Sequence, residues 1–160
     1  MNFEFDAEDK AQDDPFYPPG DILQKTKQVL SSLDSFLPRQ PDAVVPSLTN
    51  APDVIDRSSS MILMTQCARW IEFWTAQIGL RQANLAVLRA SIKWMDEYVR
   101  FTHKGKRDKL EEEQFKFLQQ TEYQAMLVEA EISRLESMKE IQSAAFKTAS
   151  RQLTGNINPL

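Results

Sequence analysis

An all-α fold is predicted for this chain: a long antiparallel helical hairpin of coiled-coil type, preceded by an extended, acidic, proline-rich N-terminal arm. Three observations predict it. From Met64 onward, apolar residues recur with strict 3-4 spacing for five heptads, the pattern of a helix with one seam turned to a partner helix. Seven of the eight prolines stand before residue 53 and the eighth is Pro159, so the stretch between them offers helices no proline break. The 160 residues, enough for one domain, hold only four glycines, too few for the many turns of a β-sandwich.

The arm covers residues 1–57. Charge marks it off as clearly as proline does. Residues 1–60 hold eleven acids against five bases, whereas 61–160 hold fourteen bases against twelve acids, which together give the overall charge of −4. Residues 1–19 are polar and acidic with scattered Phe3, Phe5, Phe16 and Tyr17, a composition expected to stay disordered. A short helix is expected near 21–37, capped by Asp21, with Ile22, Val29, Leu30, Leu33, Phe36 and Leu37 along one side. Leu37-Pro38 stops it, and four prolines make residues 38–57 an extended linker.

The body covers residues 58–155, with 156–160 as a tail. Its first helix is expected from about Ser60 to Thr102. The seam runs through Met64, Cys67, Ile71, Trp74, Ile78, Arg81, Leu85, Leu88, Ile92, Met95 and Val99, of which only Arg81 is charged. A charge in such a seam costs stability and fixes register or oligomer state. A second line of Phe73, Leu80, Val87, Trp94 and Phe101 recurs every seven residues, roughly 130° around the helix from the seam. One antiparallel neighbour does not cover both lines, so this second line is the expected homo-oligomer interface unless other helices of the chain cover it.

His103 to Arg107 is the expected turn, with Gly105 supplying backbone freedom. Asp108 to Gln119 then reads as a short charged helix. Thr121 and Gln124 have the spacing of a capping box, so a further helix is expected from there. It carries Val128, Ile132, Leu135, Met138, Ile141, Ala145, Ala149 and Leu153, and Thr154-Gly155-Asn156 ends it. The expected return arm is therefore kinked.

These residues exclude several function classes. No run of apolar residues is long enough to cross a membrane, and the acidic N-terminus has no secretory h-region. One cysteine allows no internal disulfide, and one histidine with one cysteine allows no soft metal cage. The runs Glu111-Glu112-Glu113 and Glu129 with Glu131 point in different directions on a helix, as solvated faces do, and do not converge as catalytic carboxylates must. His103 reads as a loop histidine, Cys67 as a packed thiol, and the three tryptophans as packing anchors. No enzyme activity, cofactor, metal or small-molecule substrate is expected. One cluster does suggest binding. Arg100, Lys104, Lys106, Arg107 and Lys109 gather at the turn beside Tyr98 and Phe101, cations for phosphates and rings for stacking bases without sequence preference. The same cations would also complement the C-terminal end of the preceding helix.

The order of features over residues 62–153 resembles the UvsY-like family of bacteriophage recombination mediators. The resemblance is carried by Ala68-Arg69-Trp70-Ile71, the Ala/Arg-rich Arg89-Ala90-Ser91-Ile92-Lys93, the aromatic and basic stretch from Tyr98 to Lys106, Thr121-Glu122-Tyr123, Glu129-Ala130-Glu131 and Ala149-Ser150-Arg151. It implies a helical ring-shaped oligomer that binds single-stranded DNA and helps load a RecA-like recombinase, in the host cytoplasm during infection. Residues 1–57 fall outside it, and a sequence pI near 5.1 is low for a DNA binder. The rival expectation is a virion structural protein, capsid-associated or head–tail, whose arm drapes over neighbouring subunits. A helical adaptor between cellular proteins is a third.

Overall fold

The computed structural model describes residues 19–42, 44–46 and 57–155. The expectations for residues 1–18, for most of the linker and for the tail lie outside these. Every regular element among the described residues is helical: α1 (Pro19–Asp34), α2 (Arg57–Thr102), a single 3-10 turn (Arg107–Lys109) and α3 (Glu112–Gly155). None of these helices is long and apolar enough to cross a membrane.

The helix α2 runs unbroken for 46 residues, about 69 Å at 1.5 Å per residue. An isolated helix of this composition is marginal in water and draws its stability from packing. Its partner is α3. Arg81 on α2 pairs with Glu131, Arg89 with Glu129, and Asp96 shares Arg107 with Glu122. Rising positions on α2 meet falling positions on α3, so the two helices lie antiparallel.

Two core clusters hold them together. Ile78, Leu85 and Leu88 of α2 pack with Ala125, Ile132 and Leu135 of α3. Nearer the connection, Met95 and Val99 pack with Leu110, Phe117 and Leu118. Full burial of one such leucine or phenylalanine stabilises the fold by about 1.5–3 kcal/mol. Arg81 stands at the edge of the seam, its side chain 23% exposed and its Nε 3.1 Å from Glu131 Oε2. That N–H is not aligned for a hydrogen bond, so the contact is one of charge.

The helix α1 fills the groove between the other two. Leu23 packs on the Met95–Leu118 cluster and Leu30 on the Leu88–Leu135 cluster, so α1 also runs antiparallel to α2. Its start differs from expectation. Pro19 and Gly20 already belong to the helix, so Asp21 sits in the first turn, where its charge favours the positive helix end. Its end differs too, because the chain turns at Ser35 and Phe36, leaving Phe36 and Leu37 72% and 54% exposed. The buried position is Thr26, whose hydroxyl lies 2.6 Å from Ser91 Oγ and 2.7 Å from the Ile22 carbonyl. Ser91 Oγ is also 3.0 Å from the Val87 carbonyl. Two hydroxyl protons serve these three contacts, so one bond links α1 to α2 and one returns to backbone. Ser91→Ala is expected to cost about 1 kcal/mol by removing the inter-helix bond, measured as the shift in a urea midpoint.

The return helix corrects the sequence reading in two places. No break separates a short charged helix from a longer one; α3 is continuous from Glu112 to Gly155. Thr121 does not cap, because its hydroxyl donates to the Phe117 carbonyl one turn back, within the buried seam. The side chain that caps is Gln114, whose Oε1 accepts from the Glu111 N–H. The second correction concerns one residue of the expected apolar line: Val128, Ile132, Leu135, Met138, Ala145, Ala149 and Leu153 are buried or half-buried, and Ile141 is not. The buried line continues from Leu118, Thr121, Ala125, Val128, Ile132 and Leu135 to Lys139, Gln142, Phe146 and Ala149, each buried or half-buried. Ile141 therefore faces outward, 59% exposed. Gln142 takes the seam position because its Nε2 donates to the Pro46 carbonyl, 3.3 Å away.

Candidate nucleic-acid interface

The basic cluster lies where α2 gives way to α3. Arg100 and Phe101 occupy the last turn of α2, and the Arg100 guanidinium sits 4.7 Å from the centre of the Phe101 ring. The backbone then reverses through two left-handed residues, Lys104 (φ 52°) and Gly105 (φ 80°). The Gly105 N–H returns to the Val99 carbonyl at 3.1 Å, closing the helix end. A left-handed φ favours glycine, and a lysine there is uncommon. Lys106 leads into the 3-10 turn, and buried Leu110 pins the far side of the connection into the core.

The five cations do not form one set. Arg107 is engaged as a clamp: its Nη2 lies 2.5 Å from Asp96 Oδ1 on α2 and its Nη1 3.0 Å from Glu122 Oε1 on α3. Partial burial opposes its charge, but the two carboxylates outweigh this and push its pKa up. Lys104, Lys106 and Lys109 are exposed, and among the described residues none of them forms an ion pair. Phe101 beside them is 60% exposed. Tyr98 is held inward, stacked on Trp94 with centroids 5.5 Å apart and edge-on to His103. A shallow cleft lined by Arg89, Ile92, Lys93, Asp96, Glu97 and Arg100 extends down α2 from this end.

Acids occupy the first turn of α3, Glu112 and Glu113. Cations at the C-terminal end of α2 and acids at the N-terminal end of α3 both complement helix dipoles. This accounts for Arg100 and Lys104. It does not account for Lys106 and Lys109, which precede the positive end of α3. The clamp role of Arg107 had no signal in the sequence, since its partners lie 11 and 15 positions away and on opposite sides of the turn.

The second apolar line is placed differently along its length. Leu80 is buried at 8% exposure, Phe73, Val87 and Trp94 are half-buried, and Phe101 is mostly exposed. Much of the covering comes from the chain itself, since Leu23 and Trp94 pack on the same cluster and residues 38–42 lie alongside Phe73 and Ala76. Phe73 also meets Trp70 edge-on and tilts against Trp74. Cys67 is fully buried, and burial pushes its thiol pKa up, the opposite of what a nucleophile requires. Among the described residues no three histidines, cysteines or carboxylates come together in a way that would hold a metal. No family model, curated protein or solved structure matches the chain.

Proposed function

We propose that this chain is a non-enzymatic coiled-coil hairpin that binds single-stranded DNA at its turn and serves as a recombination mediator. Lys104, Lys106 and Lys109 would hold successive phosphates, and Phe101, backed by Arg100, would stack a base. The observation that carries the reading is the pair Lys106 and Lys109. Among the described residues neither forms an ion pair. Both stand next to a helix end whose dipole disfavours positive charge, a local cost of about 0.3–1 kcal/mol each that Glu112 and Glu113 in the same turn offset in part. A bound polyanion offsets that cost. The cleft along Lys93 and Arg100 supplies a path for the strand beyond the turn. As a mediator the chain would work as a homo-oligomer beside its recombinase.

The rival role, a virion protein with a draping arm, has less chain to work with. Among the described residues of the arm, α1 and Pro46 are packed on this chain's own helices. Fluorescence anisotropy with labelled single-stranded and duplex oligonucleotides at two salt concentrations tests the proposal. Salt-sensitive preference for the single strand is the expected result. No binding at low salt would refute it and make the structural role the leading one.

A further inference from the structure

We propose that the outward face of α3 is the contact through which two copies of this chain pair, side by side and antiparallel. This stands apart from the nucleic-acid reading. On the side of α3 turned away from α2, Tyr123, Met126, Leu127 and Ile141 are 62%, 66%, 52% and 59% exposed. Such exposure scattered singly needs no explanation. Here three of the four fall in one register: positions 123, 127, 130, 134, 137, 141, 144 and 148 follow strict 3-4 spacing, two residues ahead of the buried seam throughout. A second helix-pairing line thus runs along the back of the first.

The sequence of that line is complementary to its own reverse. In an antiparallel pair centred between Arg134 and Ser137, Leu127 falls opposite Ala144 of the second copy and Ala130 opposite Ile141. Tyr123 then falls opposite Thr148, and Arg134 opposite Ser137. Every large side chain meets a small one, the arrangement that lets helix faces interdigitate. A parallel pairing sets Arg134 on Arg134 and Tyr123 on Tyr123, which repels and overfills.

The area suits a reversible dimer. The exposed portions of the four apolar side chains amount to about 300 Å² per copy, taking roughly 60–120 Å² for a whole aliphatic side chain and about 200 Å² for tyrosine. Interfaces are about 60% apolar, so the pair would bury about 1,000 Å² in total, at the threshold of a specific interface and in the range of transient ones. Area alone does not set affinity, but an interface this small suits a reversible association in the micromolar range, not an obligate dimer.

Equilibrium sedimentation of the full chain across roughly 1 to 300 µM spans that range. The expected result is a mass rising from one chain to two. Leu127→Glu should hold it at one chain while leaving the helical circular dichroism and the low-concentration melting unchanged, because the side chain is outside the core. A one-chain mass for the unaltered protein throughout, or an assembly that Leu127→Glu leaves intact, would overturn the proposal. Orientation is read by oxidative cross-linking. Ala130→Cys combined with Ile141→Cys should give a covalent dimer, with fully buried Cys67 contributing nothing. Ala130→Cys alone should not, since its two copies would lie about 16 Å apart along the helices. Equal cross-linking of that single variant would refute the antiparallel arrangement.

Discussion

Reversing Lys104, Lys106 and Lys109 to glutamate together is expected to lower affinity for single-stranded DNA by about two orders of magnitude at low salt. Each lost phosphate contact is worth about 1 kcal/mol at the dielectric of bulk water, and three amount to a factor of more than 100. The salt dependence carries more information than the affinity. Four cations, counting Arg100, give a slope of about −2.8 in log affinity against log salt, roughly a 50-fold loss between 50 and 200 mM. The triple variant should keep a slope near −0.7 if it binds measurably at all. Arg107→Gln is the control within the same turn. Its guanidinium is already neutralised by Asp96 and Glu122, so its removal should leave the slope unchanged. An equal drop from Arg107→Gln would mean that the clamp opens to meet the strand.

Leu135→Ala and Ile141→Ala are expected to differ sharply, although both side chains lie on the apolar line read from the sequence of the return arm. Leu135 is 2% exposed within the α2–α3 core, and Ile141 is 59% exposed. Truncating a buried leucine costs about 2–5 kcal/mol through lost transfer energy and the cavity left behind. In a chain of this size that lowers the melting temperature by roughly 10 °C. Ile141→Ala should stay within about 0.5 kcal/mol, provided the melting is followed below the concentration at which copies associate. A large loss at Ile141 would place the seam one residue away from where the helix phase sets it.

The long first helix was legible because one signal ran through it without competition. Its expected span, Ser60 to Thr102, falls three residues short of the observed start at Arg57. The return helix was less legible, for two physical reasons. A threonine hydroxyl three residues before a glutamine caps a helix start or bonds back one turn within a helix, and local sequence does not choose between them. Burial chooses, and Thr121 is 2% exposed. The seam of α3 also passes through Gln142, a polar residue that an apolar count skips in favour of Ile141. Gln142 is held there by the Pro46 carbonyl 96 positions away, a distance over which sequence reading has no reach. In the turn, the cluster of cations was visible in the sequence, but its division was not: Arg107 is clamped, Arg100 lies over the Phe101 ring, and Lys104, Lys106 and Lys109 form no ion pair among the described residues. That division depends on which carboxylates the two helices bring alongside.

The length of the helix pair has a consequence for anything bound at its two ends. The turn lies at one extreme of α2 and α3; Arg57 and Gly155 lie at the other, about 65 Å away at helical rise. The screening length in physiological salt is about 8 Å, so the field of a charged strand at the turn decays through many such lengths before it reaches the far end. A guest at one end and a guest at the other are electrostatically invisible to each other. Any communication between them has to be mechanical, a twist or tilt carried by the paired helices, and α1 wedged in their groove is the strut that such a motion would first have to shift.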